Sequence, residues 1–558
     1  MRQKRQCKYR NAHILTIRHV HRWIIAACVG LVLAGCVTPT IEDDPKVKAL
    51  TARLNEIETV RLEEHSSSKP ITVDEATVEV VERITEPNES RPAVELTLAE
   101  VRAAALANNL DLKLELVDPT IARLTLDEER AKFESLFFGS VRHSISEATG
   151  TGTESRTTSY EAGINSPLHT GGSLAVSLPF SDAESDSAGF SGVSEAAVSV
   201  SFIQSLLRDA GTRINTHSIR IASHQKGIVD AWTKLSAINI LAQVDMTYWR
   251  LFAAHRELEV RREQYKLAAD QLNHARNKVE AGSAAGIEIV RAEAGLGWRL
   301  EDVINAETAV RNLERELKRI MNRNDMPVES DVAIVTATGP DPLGLDFDEQ
   351  VVAEAAIANR TDMIQIELRL AIDQLNLELA RNATLPEVTL DYTFATRTQS
   401  GTIGRAFGQL TNRSFPDHSV GLSASIPLGN AAAKARLHRA KLQRMRDRMS
   451  RDQLQLQIRQ EVREAVNELR QNWRRILAAA QNLTAAYNDY EVEQSQFQVG
   501  RSTSTEVLRR AEALADAQLR KIRAFVGYEI AKVSLARTTG TLLGYGQIQL
   551  EPIDIEGK

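Results

Sequence analysis

The chain has 558 residues, of which 43% are hydrophobic, 25% charged and 5% aromatic. That balance excludes wholesale disorder, and 29 Gly with 15 Pro exclude a collagen-like or low-complexity polymer. The formal charge is −6, yet seven of the 68 Lys and Arg residues crowd into residues 1–35, which hold no acid. The remainder carries 61 basic against 74 acidic residues, a net of −13 that excludes nucleic acid as the expected partner.

The basic stretch ends at Arg22 and is followed by an apolar run from Trp23 to Leu33, then Ala34-Gly35-Cys36. A basic region, a short apolar core and small residues at a cleavage point describe a secretory signal over residues 1–35, too short to span as a stop-transfer helix. Leu33-Ala34-Gly35-Cys36 resembles a bacterial lipobox, which implies cleavage before Cys36 and an N-terminal lipid anchor on it. The alternative is an ordinary signal peptide with an incidental cysteine. Cys7 and Cys28 lie in the removed segment, so the mature chain would keep neither a free thiol nor a disulfide. Val37 follows the cysteine. By analogy with lipoprotein sorting, an Asp there would suggest inner-membrane retention, so the outer membrane is expected. Residues 36–95, rich in charge, Ser, Thr and Pro, read as a flexible tether with at most one short helix near 46–64.

After Cys36 no stretch approaches eighteen consecutive apolar residues. Long proline-free spans run from Pro179 to Pro327 and from Pro427 to Pro552. In the first, Leu241, Val244, Tyr248, Leu251, His255, Leu258, Arg262, Tyr265, Ala269, Leu272, Arg276 and Val279 follow a 3-4 spacing that predicts a very long helix with a coiled-coil-like seam. An offset of 218 carries Val244 to Val462, Leu251 to Leu469, Gly282 to Gly500, Glu288 to Glu506 and Arg291 to Arg509 without a gap. A second offset, 251, carries Ala105–Leu112 to Ala356–Met363. The chain is therefore an internal duplication: residues 96–330 and 345–551, joined by a linker at 331–344 and followed by a tail at 552–558. The two offsets differ by 33, so copy one holds 33 extra residues. Each copy reads as a helix, an irregular segment, a very long helix, a glycine turn and a returning helix.

The irregular segments carry period-2 alternation. Val388, Leu390, Tyr392 and Phe394 share one strand face, as do Val420, Leu422, Ala424 and Ile426. Copy one has Phe137, Val141 and Ile145, then Val198, Val200 and Phe202. Segments of about ten residues alternating in this way fit a membrane β-barrel, or equally a half-buried soluble sheet. Two further runs, 158–165 and 172–180, flank a turn at Leu168–Gly172. Six strands per chain would follow if these runs entered the membrane. The 33-residue excess favours an insertion, 147–194, outside a four-stranded contribution.

Two strand hairpins, each followed by a helical hairpin many turns long, in a duplicated secreted lipoprotein: this resembles the TolC family of outer-membrane efflux channels, from about Leu96 to Leu543. Its pieces are Leu96-Thr-Leu-Ala-Glu100 with Asn108-Asn109, Gln204–Arg208 with Gly211, Ser425-Ile-Pro-Leu-Gly-Asn430, and Phe497-Gln-Val-Gly500 with Ser504, Glu506 and Leu508. The fold this implies is mainly α with a membrane β-barrel: duplicated long helical hairpins forming an α-barrel, and β-hairpins forming a trimeric twelve-stranded barrel. Four strands cannot close alone, and an open sheet edge is not tolerated in lipid, so a homotrimer follows from the barrel reading. The implied function is a passive trans-periplasmic exit duct of a tripartite efflux or type I secretion system. Its partners would be a periplasmic adaptor protein, an inner-membrane pump and outer-membrane lipid. The rival is a periplasmic coiled-coil adaptor or scaffold with no pore.

No Walker loop, HExxH, nucleophile elbow or Cys-pair metal motif is present in the sequence, so neither an enzyme nor a cofactor or metal site is expected. His255, at a seam position, reads as a packed histidine. Gly282 and Gly500 are placed at helical-hairpin turns. The resemblance makes these tips, with Ser283 and Arg501, the adaptor-contacting mouth, and makes Glu288, Glu506 and Arg509 a gate. Where the family has a second acid three residues after the first, this chain has Arg509. That departure counts against an all-acidic constriction, and an exposed Glu–Arg pair on a helix surface is the alternative.

Overall fold

The computed structural model describes residues 91–147, 154–185, 193–400, 415–499 and 501–545, with positions 405 and 408 besides. Cys36, Gly500 and the tail at 552–558 lie outside the described residues. In copy one, β1 (Ala93–Leu96) leads to α1 (Leu98–Asn108), α2 (Leu110–Glu115) and α3 (Asp118–Ala131). Strands β2 (Leu136–Glu147), β3 (Glu154–Leu168), β4 (Gly172–Ser185) and β5 (Val193–Ser205) follow, then α4 (Thr212–Asn215), α5 (His217–Glu280) and α6 (Ile287–Met321). Strand β6 (Ala333–Thr336) lies in the expected linker. Copy two is α7 (Glu349–Asn359), α8 (Thr361–Asn382), β7 (Glu387–Ser400), β8 (Phe415–Ser425), α9 (Ala431–Gln498), α10 (Ser504–Thr538) and α11 (Leu542–Tyr545).

The duplication is visible in the element bounds. An offset of 251 takes α1 onto α7 and the span of α2 and α3 onto α8, residue for residue, and takes the first residue of β2 onto that of β7. The helix that is continuous in α8 is broken in copy one at Val117, ahead of Pro119 at its N-terminal turn. Proline disfavours helical backbone in the residue before it and supplies no N–H. Helices α6 and α10 each have 35 residues. Helix α1 opens on a reciprocal cap: the Glu100 backbone N–H donates to Thr97 Oγ1, and the Thr97 N–H donates to Glu100 Oε2.

At 1.5 Å per residue, α5 with 64 residues and α9 with 68 are each roughly 100 Å long. Their cores sit at equivalent heights. Val244, Tyr248 and Leu251 in α5, and Val462, Val466 and Leu469 in α9, are each at most 1% exposed. The Tyr248 ring is buried whole, and its hydroxyl donates to the Leu96 carbonyl at 3.1 Å while accepting from the Thr338 N–H at 2.8 Å. This clasps α5 to the parallel pair β1–β6. In copy two, Tyr528 of the returning helix α10 donates to the Leu343 carbonyl and ties that helix to the linker. His255 Nε2 meets the Ile334 carbonyl at 2.9 Å, as a packed histidine should. The two copies meet where Ile238, Leu241 and Ala242 of α5 bury against Val533 of α10 and Leu542 of α11.

The sheet corrects the sequence reading. It has six strands in one antiparallel order, β2-β3-β4-β5-β7-β8, not four with residues 147–194 set aside as an insertion. The surplus residues do fall between the two strands that match β7 and β8, as expected, but they form a further hairpin inside the sheet. Strand β3 pairs with β2 over its length, from Leu136 opposite Asn165 to Glu147 opposite Glu154, and with β4 from Ser155 opposite Ser185 to Leu168 opposite Gly172. Length alone cannot separate an external loop from an added hairpin, because cross-strand pairing is decided by partners distant in sequence. The ladder between β4 and β5 skips Leu178 and Pro179, where a proline without an N–H interrupts bonding in an interior strand.

Because paired residues share a face, the register defines two surfaces. One row reads Phe137, Ile164, Val176, Val200, Phe394 and His418, and another Leu174, Phe202, Tyr392 and Val420. The opposite face reads Arg142, Ser159, Ser181, Glu195 and Gln399, and Ser177, Ser199, Ala395 and Asp417. The apolar face is open at its edge strands, where Phe137, Val141 and Val420 are each more than 70% exposed in the single chain, and half-buried at Val200, Phe202, Tyr392 and Phe394. Among the described residues no helix is long and apolar enough to cross a membrane.

Candidate functional site: helical tips and mouth

Helix α5 ends in a left-handed residue. Gly282 has φ +68°, its N–H donates to the Val279 carbonyl at 2.9 Å, and the Ser283 N–H donates to the Lys278 carbonyl at 2.9 Å. This is a Schellman cap, which needs a residue without Cβ at its turning point. In copy two the Arg501 N–H donates to the Gln496 carbonyl at 2.8 Å, the same six-to-one bond at the end of α9. Ser283 and Arg501 therefore occupy equivalent positions at two equivalent tips. Gly500 itself lies outside the described residues.

The returning helices start a few residues on. Thr503 caps α10, with its side chain accepting from the Glu506 N–H. Glu506 and Glu288 both stand in the first turn of their helices, where the helix dipole favours an acid. Glu506 pairs with Arg509 at 2.8 Å and Glu288 with Arg291 at 2.8 Å, all four side chains at least two-fifths exposed. Exposed pairs three residues apart contribute only about 0.2–1 kcal/mol. Within one chain these residues have the geometry of a capped, charge-paired helix surface.

Between α5, α6 and α10 lies a cavity of about 380 Å³, lined by Gln264, Gln271, Arg291, Arg299, Arg509 and Glu512. It brings Arg291 and Arg509, equivalent residues of the two copies, to one space. Arg299 of α6 crosses to Glu512 of α10 at 2.7 Å, and Arg523 of α10 reaches Glu257 of α5 at 2.8 Å. Sequence reading missed both bridges, because their partners stand 213 and 266 residues apart and no local spacing marks them. Among the described residues no cluster of three or more His, Cys, Asp or Glu could hold a metal.

Below this level the single chain is under-packed. No described residue of α9 beyond Ile476 is buried, and Trp298, Val290, Tyr487 and Val492 remain largely exposed. Open apolar surface of this kind marks an interaction face.

Residues 352–541, from within α7 to beyond α10, match the family model described as Outer membrane efflux protein. The family is one of channel proteins. No curated protein matches the sequence. In fold, the chain is similar to solved outer membrane proteins at low identity. Against the Campylobacter jejuni CmeC outer membrane channel the TM-score is 0.61 at 16% identity, over 80% of this chain and 85% of that one. Against Neisseria gonorrhoeae MtrE, an outer membrane channel in its open state, it is 0.57 at 17%, over 79% and 88%. Against the outer membrane protein VceC of Vibrio cholerae it is 0.58 at 13%, over 79% and 96%. The mainly helical architecture with one antiparallel sheet is common to this chain and these proteins.

Proposed function

We propose that the protein is a homotrimeric, lipid-anchored exit duct of the outer membrane. It would serve a tripartite efflux or type I secretion system in partnership with a periplasmic adaptor and an inner-membrane pump. The observation that carries this reading is one sheet with an apolar and a polar face, standing above two equivalent helical hairpins roughly 100 Å long. The sheet would line a membrane pore and the hairpins would cross the periplasm. Transport through such a subunit is passive, since the polar face and helical lumen offer a path but no energy source. The open sheet edges at β2 and β8 and the bare apolar surface of Trp298 and Val492 support closure by further copies. Gly282, Ser283, Arg501 and the turn at Gly500 would form the adaptor-facing mouth. Glu288, Glu506 and Arg509 would form its constriction, and Cys36 would carry the acyl anchor.

Sucrose-gradient fractionation followed by planar-bilayer recording of the detergent-purified protein tests the proposal. Outer-membrane fractionation with discrete single-channel conductance is expected. A soluble periplasmic protein without conductance would select the pore-free scaffold instead.

A further inference from the structure

We infer that β3 and β4 are wall strands of the membrane barrel, so that each chain contributes six strands and three copies form an eighteen-stranded barrel. This rests on the trimeric channel reading and adds a wall composition to it.

The argument begins with length. Strands β3 and β4 have 15 and 14 residues, against 12, 13, 14 and 11 for β2, β5, β7 and β8. All reach or exceed the 9–11 or so that a tilted membrane strand requires. The surface comes next. Tyr160, Ile164, Leu174, Val176, Leu178 and Phe180 lie on the same face as Val141, Phe137, Val200 and Phe394, in cross-strand rows that only Leu178 fails to carry into β5. An insertion folded over the sheet or standing beside it would have no reason to continue that apolar face, or to put Ser159, Ser177 and Ser181 on the polar one. Hydrocarbon is the occupant that fits a face apolar at every strand, exposed at the edge strands β2 and β8 and half-buried at β5 and β7.

The hairpin is also fixed at the helical end of the sheet. The Gly211 N–H donates to the Thr170 carbonyl at 2.9 Å, Gln204 Nε2 donates to the same carbonyl at 2.9 Å, and the His169 ring stacks on Phe133 at 4.1 Å. Gly171, at φ +91°, closes the turn where a Cβ would stand 2.0 Å from the Asp209 carbonyl oxygen. The turn of the added hairpin is thus built into the junction from which α4 and α5 depart.

Closure is consistent with this count. In an antiparallel meander of six, β2 and β8 run in opposite directions. The β8 edge of one copy therefore meets the β2 edge of the next in the same antiparallel sense, and the even strand number of such barrels is kept. Barrel diameter grows roughly linearly with strand number, so eighteen strands give a lumen about 1.5 times as wide as twelve. The twelve-stranded expectation came from four strands per chain, a number this chain does not have.

No cysteine follows Cys36, so single cysteines introduced into a chain with Cys7, Cys28 and Cys36 all replaced by Ser are unique labelling sites. Val176→Cys and Leu178→Cys on β4, Phe394→Cys on β7 as reference, and Ser177→Cys and Ser201→Cys on the polar face would be labelled with bimane and reconstituted in phosphatidylcholine vesicles. Doxyl lipid should quench positions 176 and 178 as strongly as 394, and iodide should quench 177 and 201. Lipid quenching at 394 with only iodide quenching at 176 and 178 overturns the inference while leaving the channel intact. Absence of lipid quenching at 394 as well removes the membrane reading, and the inference with it. Imaging of the unmodified trimer provides a second readout. Eighteen wall strands are expected, and twelve would overturn the inference.

Discussion

Arg299 of the first returning helix and Glu512 of the second are held 2.7 Å apart, and this contact joins the two copies of the duplication beside the cavity near their tips. Arg299 also leans on Asp302 at 3.4 Å. The pair is partly exposed, so its worth to stability is below about 1 kcal/mol. Its effect falls on how closely the two helices converge. Arg299→Ala should leave the thermal midpoint within a few degrees of wild type and raise single-channel conductance. An unchanged conductance would show that these helices do not set the aperture.

Glu506 and Arg509 make the same kind of pair one turn into α10. In a trimer three such pairs would approach one another, where unpaired charge is costly. Arg509→Ala should then raise conductance and strengthen block by Mg²⁺ added from the periplasmic side, and Arg509→Glu should do both more strongly. If neither variant differs from wild type in planar-bilayer recordings, the pair faces bulk solvent.

Asp245 of α5 is fully buried, and Arg102 of α1 reaches it with two hydrogen bonds of 2.7 and 2.6 Å. Burial pushes its carboxyl up, while the guanidinium pulls the other way. Removing one partner of a buried pair leaves an uncompensated charge, at about 3–5 kcal/mol. Arg102→Met should therefore lower the unfolding midpoint sharply, and the double variant Arg102→Met with Asp245→Leu should recover most of the loss.

A pH effect follows from Asp373 of α8. Burial first, and then the facing Asp447 carboxyl of α9, push its carboxyl up to about 6, with Arg446 and Arg444 opposing. The folded state holds this proton more tightly than the unfolded chain, whose value is near 3.9. The stabilisation is present below pH ~4 and fades as pH rises through about 6. Urea midpoints of wild type should fall across that window relative to Asp373→Asn. Parallel curves for the two proteins would rule out a shifted Asp373.

Cys36→Ser should abolish incorporation of radiolabelled palmitate, as Leu33-Ala34-Gly35-Cys36 implies. Equal labelling of mutant and wild type would assign the acyl chain elsewhere.

The helical half of this fold is legible in the sequence because it is periodic and repeated. A seam that survives a shift of 218 from Val244 to Val279 places α5 and α9 against their returning helices before any contact is known. Gly282 marks its turn because the left-handed conformation there admits few other residues. The strands at 388–394 and 420–426 were likewise visible by alternation. The membership of β3 and β4 was not, since period-2 alternation names a face without naming a neighbour. Arg102–Asp245, Asp373–Asp447 and Arg299–Glu512 escaped for the same reason: each joins residues that only the packed fold brings together. The Glu506–Arg509 spacing was legible, and so was its ambiguity, which a single chain preserves.

The Tyr248 clasp has a mechanical meaning. It grips α5 near mid-length, leaving the 32 residues from there to Glu280, roughly 48 Å, to extend from a fixed collar. A rod held in this way behaves as a cantilever, whose tip deflection grows with the cube of its free length. The collar therefore stiffens everything above it and concentrates compliance in the lower hairpin, where α9 buries nothing beyond Ile476. A modest sideways load at the tips would swing the lower levers apart while the clasped collar and the sheet above it stay still.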